Sequence, residues 1–291
     1  MHGCSANVFH CGLPVSRTRL VSFIHALAIL SAGVTVPALA QNMAWKLIQP
    51  GVEFASIPAG KMASGTPGRL YVVRVDPTRA RLTVALASEA QTAAQTAAEW
   101  CQTSNLAVAI NLGMFQADGR SNVGYLRHGS HNNNPRWNSD NAVLAVNPSD
   151  RRGPNVLWID RDQTTAIPQL AVYDIVVQNL RLVTKNRKNV WSQSNKRWSE
   201  AAVAIDSEKR ILFVFSRAPY SMREFNDLLL TLPFDIAGAM HVEGGPEASL
   251  SIHAGGIDLD LAGSYETGFW PNDSNQRQWP IPNVLGILAE K

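Results

Sequence analysis

Apolar residues in this chain come in short blocks bounded by Gly, Pro, Asn or Asp, the pattern of strands rather than of long helices. An opening strand is expected within 44–57, bent at Gly51, followed by a Gly-, Ser- and Pro-rich loop over 59–68. Residues 70–75 and 82–86 read as strands, and Asp76-Pro77-Thr78-Arg79 between them predicts a hairpin. Residues 106–110 are continuously apolar, as in a strand covered on both faces. Further strands are predicted over 123–126, 142–146, 156–159, 170–177 and 180–183, with a basic turn at Arg151-Arg152. A hairpin joins 198–206 to 210–215 across Asp206-Ser207-Glu208-Lys209, and Ala201, Ala202 and Ala204 are small enough for close packing. Strands over 236–240 and 284–288 complete the set.

Two segments carry helical signals. Over 92–102, Thr92 with Gln95 and Thr96 with Glu99 both match the capping-box spacing. Ser221 with Glu224 opens the second, where Phe225, Leu228, Leu229 and Leu232 recur at i, i+3, i+4 and i+7 until Pro233 stops it. The segments 128–141, 185–196 and 255–278 read as loops: a polar mobile rim over a site, a solvated basic loop, and a glycine- and aromatic-rich loop. The expected fold class is α+β, a single domain of mixed, mostly antiparallel β-sheet with a few packed helices.

Residues 1–40 read as a secretory signal peptide. Arg17 and Arg19 precede an apolar run over 20–36, and Pro37-Ala38-Leu39-Ala40-Gln41 supplies a small-x-small exit, with cleavage after Ala40. The run is broken by Ser22, His25, Ser31 and Gly33 and is short for a membrane span of roughly 20 residues. The expected product is a domain over 41–291, periplasmic or secreted, with no stable membrane anchor. Losing Arg17 and Arg19 lowers the formal charge from +3 to +1, which argues against nucleic acid or an anionic surface as partner. Of the 3 cysteines, Cys4 and Cys11 leave with the leader, so Cys101 has no disulfide partner and no CxxC site exists. Cys101 reads as a small buried apolar residue in an Ala-rich helix.

Polar residues that bear chemistry gather at the ends of predicted strands. His241-Val242-Glu243-Gly244-Gly245-Pro246-Glu247-Ala248-Ser249-Leu250 follows a short buried strand and places two carboxylates on a glycine-rich turn whose backbone can approach a ligand. The bland reading is a Gly-Gly-Pro hairpin with two solvated glutamates. The strand over 106–110 runs into Asn111-Leu112-Gly113-Met114-Phe115, where Asn111 either aims its amide into a cleft or caps a turn. Ser199-Glu200 enters a third strand, and convergence of these three ends is expected. The histidines show no HExxH spacing and there is no Gly-x-Ser-x-Gly elbow, which argues against a zinc hydrolase and an ordinary serine hydrolase.

The order of these elements resembles the phosphodiester glycosidase family over nearly all of 44–288. The resemblance rests on Asn111-Leu112-Gly113-Met114-Phe115, on Ser221-Met222-Arg223-Glu224-Phe225, on Glu243-Gly244-Gly245-Pro246-Glu247-Ala248-Ser249-Leu250, and on the closing Pro280-Ile281-Pro282-Asn283 strand. It implies a hydrolase of glycosidic or sugar-1-phosphodiester bonds, with a carbohydrate or sugar-phosphate as substrate. Three positions depart from the family pattern. Glu243 replaces the usual Asp, Gln178-Asn179-Leu180 replaces a Ser/Thr-Gly-Pro turn, and Glu200 replaces an arginine that would suit a phosphate.

Glycoside cleavage needs a proton donor and a second carboxylate. Glu243 at the end of an apolar strand is expected to be the acid, with its pKa raised by burial, and Glu200 the base. Asn111, Gly244 and Gly245 are expected to hold the substrate's hydroxyls or phosphate oxygens. Gly113, Phe115, Asp118, Gln178, Glu247 and Ser249 complete the expected binding set, and Trp137, Tyr265 and Trp270 are candidates to stack on a sugar. The alternative is a non-catalytic glycan-binding module on the same fold. No cofactor is expected, although Glu243, Asp118 and Asp258 supply oxygen ligands that would suit calcium.

Overall fold

The computed structural model describes residues 44–150, 153–162 and 167–290. The expected leader, with Cys4 and Cys11, and the Arg151-Arg152 turn lie outside the described residues. In chain order the elements are β1 (Lys46–Gln49), β2 (Val52–Lys61), β3 (Pro67–Val75), β4 (Leu82–Leu86), α1 (Ala87–Ala90), α2 (Ala97–Thr103), β5 (Leu106–Asn111), β6 (Leu126–His128), β7 (His131–Asn134) and β8 (Ala142–Pro148). They continue with β9 (Val156–Asp160), β10 (Tyr173–Asn179), β11 (Arg181–Val183), β12 (Trp198–Asp206), β13 (Ile211–Tyr220), α3 (Met222–Thr231), β14 (Ile236–Gly244), β15 (Ser249–Ala254), β16 (Ile257–Ala262) and β17 (Asn283–Leu288).

The strands form three sheets, ordered β1-β2-β3-β13-β12-β14-β11, β7-β6-β10-β8-β9 and β16-β15-β5-β17-β4. Their pairings are antiparallel. The three sheets share one core: Val73 and Phe213 from the first, Leu144 and Ile175 from the second, Ile110 and Leu285 from the third. Helix α3 packs Phe225 and Leu229 on Leu212 and Val214 of the first sheet. Helix α2 packs Trp100 beside Ala109 and Val284 of the third.

Several expectations stand. β5 is buried at all six positions, and β12 and β13 form the hairpin. The capping boxes at Thr96/Glu99 and Ser221/Glu224 are both made, while Thr92 lies outside α2. Cys101 is buried, and burial, with Asp260 adding to it, pushes its thiol up to about 12.

The predicted hairpin of 70–75 with 82–86 is not formed. β3 pairs with β2 and β13 in the first sheet, whereas β4 pairs with β17 in the third. The Asp76 turn therefore carries the chain between sheets. The 255–278 loop contains β16, which pairs along its length with β15. The 128–141 rim contains β7 and is tied down by Asn134, whose Nδ2 donates to the carbonyls of Asn122, Val123 and Gly124. Among the described residues no helix is long and apolar enough to cross a membrane.

Candidate active site

β14 runs antiparallel to β12 with Glu200 opposite Gly244 and Ala201 opposite Glu243, after which the register slips so that Ala202 faces His241. The extra residue, Val242, is a bulge of the kind that re-aims the side chains on either side of it. Beyond Glu243 the chain turns at Gly245, whose φ of 62° lies in the left-handed region that favours glycine. A single 3-10 turn over Gly245–Glu247, with Pro246 near its start, then delivers the chain into β15.

This corner is pinned from below by Asn111, at the end of β5. Its Nδ2 donates to the Glu247 carbonyl at 3.0 Å, and its Oδ1 accepts from the Ser249 amide at 2.7 Å. Ser249 Oγ donates to the same Glu247 carbonyl at 3.1 Å. The Asn111 end and the Glu-Gly-Gly corner therefore touch rather than facing each other over a hollow. Asn111 is 1% exposed and both ends of its amide are taken, so it holds the turn. Ser249, fully buried, does the same.

Glu200 is also not the free base expected from the sequence. It is 1% exposed, its Oε1 is bonded to His241 Nδ1, and its Oε2 accepts from Trp198 Nε1 at 2.6 Å. Burial raises the Glu200 pKa, opposed by His241 and by both hydrogen bonds. Burial alone would lower that of His241, but the charge and hydrogen bond of Glu200 outweigh it and raise it. Both members of the pair are buried, and each Glu200 oxygen has a protein partner. Trp198 stands edge-on to His241, with ring centroids 6.2 Å apart, and packs against Gly244.

Glu243 is in a different situation. It is 6% exposed, and its one hydrogen bond is from the adjacent Gly244 amide, 3.1 Å from Oε1. Burial, reinforced by the charges of Glu247 and Glu266 and only partly offset by His241 and the Gly244 amide, raises its pKa to about 8. Glu247 and Glu266 are half-buried and raised in turn, each first by burial. Glu266 was not expected from the sequence. It follows β16 in a loop zipped onto the start of β12, where Ser199 N donates to Tyr265 O at 2.8 Å and Glu266 pairs with Trp198 and Trp270. Its carboxylate covers Gly245 so closely that a Cβ there would run into it. The only sequence signal for it was an acidic residue in an aromatic segment.

The other expected residues lie apart from this corner. Gly113 sits where a Cβ would strike the Oδ1 atoms of Asn122 and Asn179. Phe115 packs toward the Trp100 cluster. Asp118 caps an exposed turn, accepting from Ser121 Oγ at 2.6 Å and from the amides of Arg120 and Ser121, bonds that lower its pKa. Gln178 is fully buried and spent on backbone: Oε1 accepts from Tyr125 and Asn138, and Nε2 donates to Asn138 and Asp140. Trp137 is stacked on Tyr125 at 4.2 Å, and Trp270 stands edge-on to Trp279 at 5.5 Å. Asp258 is bonded to His253, and among the described residues no three His, Cys, Asp or Glu side chains gather to hold a metal, so Glu243, Asp118 and Asp258 form no calcium site. A cavity of about 840 Å³ bordered by Arg79, Arg127, Asn155 and Tyr173 takes in none of these residues.

Comparison with known proteins agrees with this architecture. The chain is similar in structure to the zebrafish N-acetylglucosamine-1-phosphodiester alpha-N-acetylglucosaminidase catalytic domain auto-inhibited by its pro-peptide, with a TM-score of 0.60 and 14% identity over 86% of this chain and 88% of that one. It is also similar to a hypothetical protein from Synechocystis, with a TM-score of 0.50 and 16% identity over 84% of this chain and 64% of that one. At these identities the likeness is one of fold. No curated protein matches the sequence. The phosphodiester glycosidase family matches residues 104–288, more than half of the chain, and takes in Asn111, the β12–β14 pair, the Glu-Gly-Gly corner and the Glu266 loop. The chain thus belongs to the phosphodiester glycosidase family, a family of glycosidase-type hydrolases.

Proposed function

We propose that the protein is a secreted or periplasmic hydrolase, released by removal of residues 1–40, that cleaves a glycosidic bond of a sugar substrate by carboxylate acid/base catalysis. Glu243 is the proton donor. The observation that carries this reading is a carboxyl 6% exposed, with its pKa raised to about 8 and a single hydrogen bond from its neighbour's amide. Such a group is neutral at pH 7 and holds a proton to give. Glu266 is the base. It is more exposed than Glu243; burial raises its pKa, partly offset by His241. Its charge in turn raises the pKa of Glu243, which favours keeping the proton on Glu243.

In the reaction Glu243 gives its proton to the leaving-group oxygen as the bond to the anomeric carbon breaks. Water adds to that carbon and its proton passes to Glu266. Glu200 and His241 act as positioning residues, since together they brace β14 from within the sheet. Glu243→Gln tests the assignment: kcat on glycosides is expected to fall by at least ~1000-fold. Full retention would end it. Sugar binding without turnover by the unmodified protein would favour the glycan-binding module instead.

A further inference from the structure

We infer that the arginine-lined hollow at the other end of the first sheet from Glu243 is a second, non-catalytic site that binds the acidic sugars of an anionic glycan. The choice of a sugar chain rests on the glycosidase reading above, whereas the hollow shares no residue with the Glu-Gly-Gly corner. Its place follows from strand register. Glu200 pairs with Ser216 and Ser216 with Leu70, which puts the corner at the start of β12. Ile205, near the end of β12, pairs with Ile211, and Ile211 with Val75, the last residue before the Asp76 turn. From Glu200 to Ile205 the strand rises roughly 17 Å, at ~3.4 Å per residue. The hollow has a volume of about 840 Å³, in the range of sites that take a ligand of a few rings. One wall is the Asp76 turn with Arg79 and Arg81, and the other is the second sheet with Arg127 of β6 and Asp174 of β10. Asn155 fixes the walls relative to each other, its Nδ2 donating to the Pro77 carbonyl at 3.1 Å.

Charge points to the ligand. Three guanidinium groups line the hollow with one carboxylate, that of Asp174, whose Oδ2 lies 3.7 Å from His128 Nε2. Among the described residues none of the three arginines takes part in a salt bridge. Asp76, behind Arg79, is engaged by Thr78, whose amide and hydroxyl donate to its Oδ1 at 2.9 and 2.7 Å. Arg127 is half-buried and held by neutral groups. Its Nη1 donates to the Gly129 carbonyl at 2.8 Å, and its Nη2 to the carbonyls of Leu170 and Tyr173 at 3.1 and 2.6 Å. Carbonyls fix the orientation of a guanidinium and leave its full charge uncompensated, a state that an incoming anion relieves. Arg79 and Arg81 are exposed and supply two more forks, each able to take a carboxylate or sulfate through paired hydrogen bonds. Several cations spread around an open hollow match charges repeated along a chain better than one small ion, and an acidic glycan carries such charges on its rings.

Calorimetric titration of the full chain at pH 7 and low salt tests this with three tetrasaccharides: tetragalacturonate, a sulfated heparin tetrasaccharide, and neutral maltotetraose. Both acidic chains are expected to bind at least ~10-fold more tightly than maltotetraose, and the tighter of the two tells carboxylate from sulfate. The double variant Arg79→Ala, Arg81→Ala should weaken the acidic chains at least ~10-fold with its melting temperature unchanged, and Arg79→Lys, Arg81→Lys should recover part of the loss. Glu243→Gln should bind as the parent does, so a failure of the catalytic assignment leaves this result untouched. Loss of glycosidase activity as a property of the parent, with acidic-sugar binding intact, would end the catalytic reading alone. Absence of binding by either acidic chain overturns the inference, as does equal affinity for maltotetraose or an affinity unchanged in the alanine double variant. A short DNA duplex that binds through the same arginines more tightly than either acidic chain would overturn the assignment to sugars.

Discussion

The Glu-Gly-Gly corner and the Asn111–Asp118 corner stand side by side, joined by two hydrogen bonds, yet they are built on opposite principles. Around the second, polar side chains find partners: Asn111 makes two bonds to backbone, Gln178 four, and Asp118 three. Asn122 Oδ1, buried by Gly113, and Asn283 Oδ1, beside Leu112, are exceptions without a donor. In the first, three carboxyl groups with raised pKa values share one turn and one loop with little donor support. Satisfied polar groups fix geometry, whereas a buried acid left short of partners costs stability and is kept where its proton is used. The Asn-x-Gly-x-Phe segment, the second constellation of interest in the sequence, holds the Glu-Gly-Gly turn in place through Asn111.

The comparison can be broken most sharply at Glu243. Besides the loss of activity, Glu243→Gln should stabilise the fold. Glu243 binds its proton more tightly folded than unfolded, so its contribution is present in full below about pH 4.5 and is lost as pH rises to about 8. At pH 7 the accumulated cost is about 3 kcal/mol, at ~1.4 kcal/mol per unit. Denaturant melts at pH 5, 7 and 9 should show that pH dependence in the parent and its loss in Glu243→Gln. A destabilised Glu243→Gln at pH 7 would mean that the carboxylate is not under strain.

Next in size is Asn111→Ala, which removes both bonds that pin the turn and leaves buried backbone groups unpaired. A loss of about 2–4 kcal/mol is expected, together with a fall in kcat because Glu243 and Glu247 lose their common anchor. Gly113→Ala should cost about 1–3 kcal/mol through its clash with Asn122 and Asn179. The activity of its folded fraction should match the parent, and a selective fall in kcat would return that corner to the active site. Asp118→Asn is the smallest change. On an exposed turn it should shift stability by no more than about 0.5 kcal/mol and leave kcat/KM unaltered.

Much of this was legible in the sequence where the signal is local. The Ser221/Glu224 box, the unbroken apolar run of β5 and the β12–β13 hairpin each announce themselves within a few residues. The glycine pair after a buried strand marked a turn, and burial of Glu243 followed from the apolar residues ahead of it. The illegible part was pairing across sequence distance. The Asp76 turn says that the chain reverses and not that β3 and β4 belong to different sheets. In β16, Ile257-Asp258-Leu259-Asp260-Leu261 alternates at period two, but the glycines and aromatics around it masked the pattern. Glu200 looked like a free carboxylate because His241, 41 positions away in sequence, reaches it only through the β12–β14 register. Glu266 was hidden for the same reason: its place over Gly245 depends on a loop folded back onto Trp198.

The central claim is that Glu243 remains protonated at neutral pH, and carbon-13 NMR of the glutamate side-chain carboxyls followed from pH 4 to 9 tests it directly. The account predicts one carboxyl resonance titrating near pH 8, absent from Glu243→Gln. A Glu243 resonance that has finished titrating by pH 6 would contradict it.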